Sequence, residues 1–90
     1  MSTSVSEQRK LKDVFEALDE GNPKLALNRI NMILKKHPES LSAKSVKALT
    51  LQRLDQRQEA LDVAESVRLM QPTDPDILNI LLRVFTVAEC

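Results

Sequence analysis

Apolar residues recur along this chain at helical spacing, in blocks separated by Gly, Asn, Asp and Pro. Leu11, Val14, Phe15 and Leu18 fall at i, i+3, i+4 and i+7, which is one stripe on an α-helix. Ser4 and Glu7 have the spacing of a capping box that starts this helix. Gly21 closes it, because glycine takes the left-handed conformation at no steric cost. Asn22 then caps a second helix with Pro23 in its first turn. The pattern predicts helix two over about 23–36, striped by Ala26, Leu27, Ile30, Ile33 and Leu34. Lys35, Lys36 and His37 oppose the dipole at its end, and Pro38 stops it. Ser40 caps helix three, about 41–54, with Ala43, Val46, Leu49, Leu51 and Leu54 as candidate core. Asp55 and Gln56 make a turn without glycine, where Asp tolerates a left-handed backbone. Helix four, about 57–70, buries Ala60, Leu61, Ala64 and Val67. Asp74-Pro75 repeats the cap-then-proline start and opens helix five. Connections this short force successive helices antiparallel.

Two of these blocks are copies. Ala26, Leu27 and Pro38 recur 34 residues later as Ala60, Leu61 and Pro72. A 34-residue period with a helix–turn–helix in each unit is the signature of tetratricopeptide repeats. The expected fold is therefore all-α, a solenoid of about two and a half repeats built from five antiparallel helices. Residues 1–6 form a flexible start and cap, 7–38 the first repeat, 39–72 the second, and 73–90 the first helix of an incomplete third. Gly21, Ala26, Pro38, Ala48, Ala60 and Pro72 define the repeat. Ala26 and Ala60 are small where the two helices of a repeat cross, and Ala48 is the small partner on helix three. Val14 and Leu82 are bulkier at the equivalent place, and Lys10 and Lys44 stand where the pattern favours a large aromatic, so the units are divergent.

Helix five breaks the one-stripe rule. Ile77, Leu78, Ile80, Leu81, Leu82, Val84, Phe85, Val87 and Ala88 make it apolar nearly all round, as expected of a helix buried on more than one side. With no following helix to cover it, roughly four large side chains would face water. At ~1.5–3 kcal/mol each, the stabilisation foregone is on the order of 6–12 kcal/mol. That rivals the whole stability of a small domain, ~5–15 kcal/mol. The expectation is a longer solenoid, or one that a partner covers here; a helix five that closes the bundle, or pairs with a second copy, is the alternative.

Composition narrows the function. Thirteen basic residues balance thirteen acidic ones in a chain of 90 residues. That argues against nucleic acid or an anionic membrane as the main partner. The start of the chain lacks the pattern of a secretory or transit peptide, and no apolar run approaches the ~20 residues of a membrane span. The single Cys90 fits a reducing compartment, so the chain is expected to be cytoplasmic. Candidate chemistry is sparse. His37, the one histidine, sits at a helix end in a capping role; Gly21, the one glycine, excludes a Gly-rich phosphate loop. Asp19 and Glu20 read as solvated charge, and Met32 and Met70 as packing residues. No catalytic residue, metal or cofactor is expected.

A repeat solenoid binds through its concave face, lined mainly by the first helix of each unit. Helix three would present Ser45, Leu49, Gln52 and Arg53 there, and helix five Asn79, Arg83 and Thr86. The two arginines could meet carboxylates bidentately. One subclass of the repeat grips the C-terminal carboxylate of heat-shock chaperones with Lys, Asn and Arg. Leu11, Phe15, Val46, Asp76 and Ile80 hold the corresponding places here, so that clamp is absent.

Several runs carry a closer resemblance: Gly21-Asn22, Leu34-Lys35-Lys36-His37-Pro38, Ala43-Lys44, Lys47-Ala48-Leu49 with Leu51-Gln52-Arg53-Leu54, Gln58-Glu59-Ala60 and Pro72-Thr73-Asp74. In order and spacing, over roughly residues 9–87, they resemble the auxiliary, non-catalytic subunits of the N-terminal acetyltransferase B (NatB) complex. The resemblance implies a helical-repeat scaffold that wraps and supports a small catalytic subunit and helps place it at the ribosome. In that family the catalytic partner uses acetyl-CoA to acetylate proteins beginning Met-Asp, Met-Glu, Met-Asn or Met-Gln. The alternative is a stand-alone adaptor that binds a peptide or protein in its groove.

Overall fold

The computed structural model describes the backbone of residues 5–89 and the side chains of residues 8–86. Five helices and no strand are found among the described residues: α1 (Val5–Asp19), α2 (Pro23–Lys36), α3 (Leu41–Arg53), α4 (Arg57–Leu69) and α5 (Pro75–Glu89). Each lies within a residue or two of its expected bounds. The capping box of Ser4 and Glu7 falls outside the described side chains.

The caps are the expected ones. Asn22 accepts from the Leu25 backbone N–H at 3.3 Å, and Ser40 Oγ from that of Ala43 at 3.1 Å. Asp74 Oδ1 accepts from the Asp76 N–H at 2.9 Å, while its carbonyl accepts from Leu78, so Asp74 caps α5. After α1, Asn22 N–H bonds the Ala17 carbonyl and Gly21 N–H that of Leu18, closing the helix with Gly21 at φ +76°. The same bond pair recurs after α3, from Gln56 to Leu51 and from Asp55 to Gln52, with Asp55 at φ 62°. Gln71, at φ 54°, makes the corresponding turn after α4.

Each helix packs against the next, and α3 also meets α1 and α5, whereas among the described residues no Cα of α1 comes within 8 Å of one in α5. This is an all-α helical-repeat solenoid of about two and a half units. Val14, Ala26, Ile30, Val46, Ala48, Ala60, Ala64, Val67 and Val84 are fully or almost fully enclosed. The central helix is covered nearly all round, and that coverage takes in two hydroxyls the apolar pattern passed over. Ser45 donates to the Ser42 carbonyl and Thr50 to that of Val46, both at 2.8 Å, so neither enters the core unsatisfied.

α5 is sheltered on one side only. Ile77, Leu81 and Val84 face α3 and α4 from the core, and Ile80 and Phe85 are half-buried against it. Leu78 and Leu82 are 47% and 65% exposed. Among the described residues of α5, Leu78 and Leu82 are thus the large apolar side chains that stand mainly in water, while Ile80 and Phe85 pack against the core. Met32 and Met70, expected to pack, are 69% and 64% exposed. Met32 lies on the outer side of α2, and Met70 caps the end of α4, where the chain turns. No helix among the described residues is long and apolar enough to cross a membrane.

Candidate protein-binding groove

With α1 and α5 held apart by α3, a groove of about 510 Å³ opens between them. Its α1 wall carries Gln8, Leu11, Lys12 and Phe15, spaced at i, i+3, i+4 and i+7. Ser42, Ser45 and Val46 of α3 make the floor. The α5 wall carries Asp76, Ile77, Asn79, Ile80 and Arg83, with Asp74 at its mouth. Leu11, Phe15, Val46, Asp76 and Ile80, the five places a chaperone clamp would occupy, all line this one cleft. They give it an apolar centre in place of a carboxylate cage, and Phe15 is 38% exposed there.

The residues predicted for the concave face divide by depth. Asn79 and Arg83 line the groove and are exposed, and Ser45 lies in its floor, fully buried. Leu49 is 4% exposed and belongs to the core, since α3 has neighbours on every side. Gln52 is half-buried and donates its side-chain amide to the Val84 carbonyl at 3.0 Å, tying α3 to α5. Arg53 and Thr86 are exposed outside the groove. The residues expected on the concave face all lie on α3 and α5, whereas the α1 wall of the cleft also carries Leu11 and Phe15, both members of the α1 stripe.

Electrostatically the cleft is mixed. Among the described residues the ion pairs are Arg57–Asp55 and Arg68–Glu65, both on α4 or its lead-in and both exposed. Arg68 hydrogen-bonds the Glu65 carboxylate and holds it below the usual carboxylate range, and is itself raised. Lys10 lies near Lys36 of α2, whose hydrogen bond and then whose charge draw the Lys10 amine below the ordinary lysine value. Neither pair touches the groove. His37 is exposed and its backbone N–H closes α2 on the Ile33 carbonyl at 2.8 Å. The described residues contain no cluster of His, Cys, Asp and Glu suited to a metal ion.

Antiparallel helix pairs stacked at a 34-residue period define a tetratricopeptide-type helical repeat. The chain belongs to the family described as Psidin, N-terminal TPR repeats region, which matches residues 8–89. It is 38% identical over 73 residues to the human N-alpha-acetyltransferase 25, NatB auxiliary subunit, a match covering 81% of this chain and 8% of that protein. It is 35% identical over 81 residues to the Phagocyte signaling-impaired protein of Drosophila pseudoobscura pseudoobscura, covering 90% of this chain and 8% of the relative. A Caenorhabditis elegans homologue of an N-terminal acetyltransferase B complex subunit is 38% identical over 60 residues, or 67% of this chain and 6% of its own length. The chain therefore spans less than a tenth of the relatives it matches. No solved structure matches it.

Proposed function

We propose that this chain is an N-terminal repeat segment of a NatB-like auxiliary subunit, a non-catalytic scaffold that supports and positions a catalytic acetyltransferase subunit. Residues 7–38 and 39–72 serve as its first two repeats and 73–90 open a third. The observation that carries the reading is the match to a protein named as a NatB auxiliary subunit across four-fifths of the chain. The groove supports it chemically, because its lining offers apolar and charged contacts for a protein surface and includes neither histidine nor cysteine. Arg53, Asn79, Arg83 and Thr86 are the exposed candidates for partner contact, and Ser45, Leu49 and Gln52 hold the helices that present them. Work beside the ribosome in the cytoplasm follows from the same reading.

Co-expression with a NatB catalytic subunit tests it. The expected result is co-elution through affinity and size-exclusion steps. Separate elution of two well-folded proteins overturns the proposal and favours a free-standing adaptor, whose ligand would then be a peptide alone.

A further inference from the structure

The outer side of α5 is laid out in rows. Ile77 and Val84, at i and i+7, are buried in the core, so the middle of the opposite side falls on Asn79, Leu82 and Thr86, all exposed. Leu78 and Phe85 run along one edge of that side, and Asp76 and Arg83 along the other, each pair again at i and i+7. The apolar edge is incompletely covered: Leu78 is 47% exposed and Phe85 half-buried. Neither Asp76 nor Arg83 is in an ion pair with another described residue. Among the described elements α5 packs against α3 and α4 alone, both from the other side.

The order of these residues selects the occupant, because the side is complementary to itself. When two identical helices pair antiparallel about a two-fold axis, each edge meets the same edge of its partner, with the residue order reversed. With the axis at the level of Ile80 and Leu81, Asp76 comes beside Arg83 of the second copy and Arg83 beside its Asp76. On the other edge Leu78 comes beside Phe85, and Phe85 beside Leu78. A parallel pair would instead set the charged edge of one helix against the apolar edge of the other. We propose that two copies of this chain associate through the outer side of α5 as an antiparallel, two-fold pair, with Leu82 at its centre and two symmetric Asp76–Arg83 contacts along one edge. Each copy then supplies the cover that the end helix of a repeat stack needs. One helix side per copy is a small interface, so the pair is weak and forms at high protein concentration. The inference goes beyond the scaffold reading and does not depend on it.

Sedimentation velocity on the full chain tests it, from about 10 µM to about 1 mM, the range in which so small an interface associates. Low salt keeps the charge contacts unscreened, and a reductant keeps Cys90 from cross-linking copies. A reversible monomer–dimer equilibrium is expected, weakened about tenfold or more by Leu82→Glu, which places a carboxylate at the centre of the pair. Asp76→Arg and Arg83→Asp each set like charges together at both symmetric contacts, so each alone should weaken the dimer roughly three- to tenfold. The double variant Asp76→Arg, Arg83→Asp restores opposite charges and should recover the parent affinity. A mixture of the two single variants should pair more tightly than either by itself. Asp74 is left intact because it caps α5, and circular dichroism checks each fold. A chain that stays monomeric throughout, a dimer that Leu82→Glu leaves unchanged, or a double variant no better than the singles overturns the inference. Co-elution with a catalytic subunit reads the scaffold proposal separately, so either can fail without the other.

Discussion

Among the described residues three bend the chain at positive φ, and they differ in how visible they were. Gly21 was plain from its type, and Asp55 from the tolerance of Asp for a left-handed backbone. Gln71 was not, because glutamine has no such preference; Pro72 stops α4 by disfavouring the right-handed helix in the residue before it, but does not itself select the left-handed backbone. At Gly21 an added Cβ would meet nothing within 4 Å, so the cost of Gly21→Ala is purely one of backbone, about 1–2 kcal/mol. That corresponds to a fall in melting temperature of roughly 4–8 °C per kcal/mol in a domain this small. The opposite change should help: Gln71→Gly relieves the greater strain and raises the melting temperature, by about 1 kcal/mol of stability, with Asp55→Gly giving less. Thermal melts of the three variants check both the signs and the order, and a stabilising Gly21→Ala would contradict the account.

At the level of the helix, the apolar stripe recovered α1, α2 and α4 with little loss, because each has one buried side. α3 and α5 resist that treatment for opposite reasons. α3 is apolar most of the way round because it touches all four other helices, so Leu49, placed on the binding face by its position in the repeat, lies in the core. α5 is more apolar still, yet only one of its rows is enclosed, and a linear pattern cannot say which neighbours are present to cover the others. Adjacent leucines make the distinction measurable. Leu81 is 4% exposed, and truncation to Ala should cost about 2–5 kcal/mol, a large part of the ~5–15 kcal/mol available to a small domain. Leu82 is 65% exposed, and Leu82→Glu should stay within ~0.5 kcal/mol of the parent while reducing self-association. Urea unfolding and sedimentation velocity give the two readouts; equal destabilisation by both changes would mean that α5 does not sit with this face outward.

In the whole molecule, contacts run from helix to neighbouring helix with α3 as the exception, since it alone packs against every other element. Stability in such a stack is distributed by neighbours: an end helix opens by breaking its contacts on one side, whereas opening α3 breaks both halves. The buried set agrees, with Ala43, Ser45, Val46, Ala48, Leu49, Thr50 and Leu51 all enclosed on that one helix. Gln52 adds a bond from α3 into the middle of α5, and Arg29 one from α2 to the Asp13 carbonyl of α1, but both lie at the surface or half-buried and are weaker restraints than the packed core. Native-state hydrogen exchange should therefore find the slowest amides in α3, near residues 46–51, with protection falling through α2 and α4 and lowest in α1 and α5. Exchange that is uniform across all five helices would show instead that the stack opens as one cooperative unit.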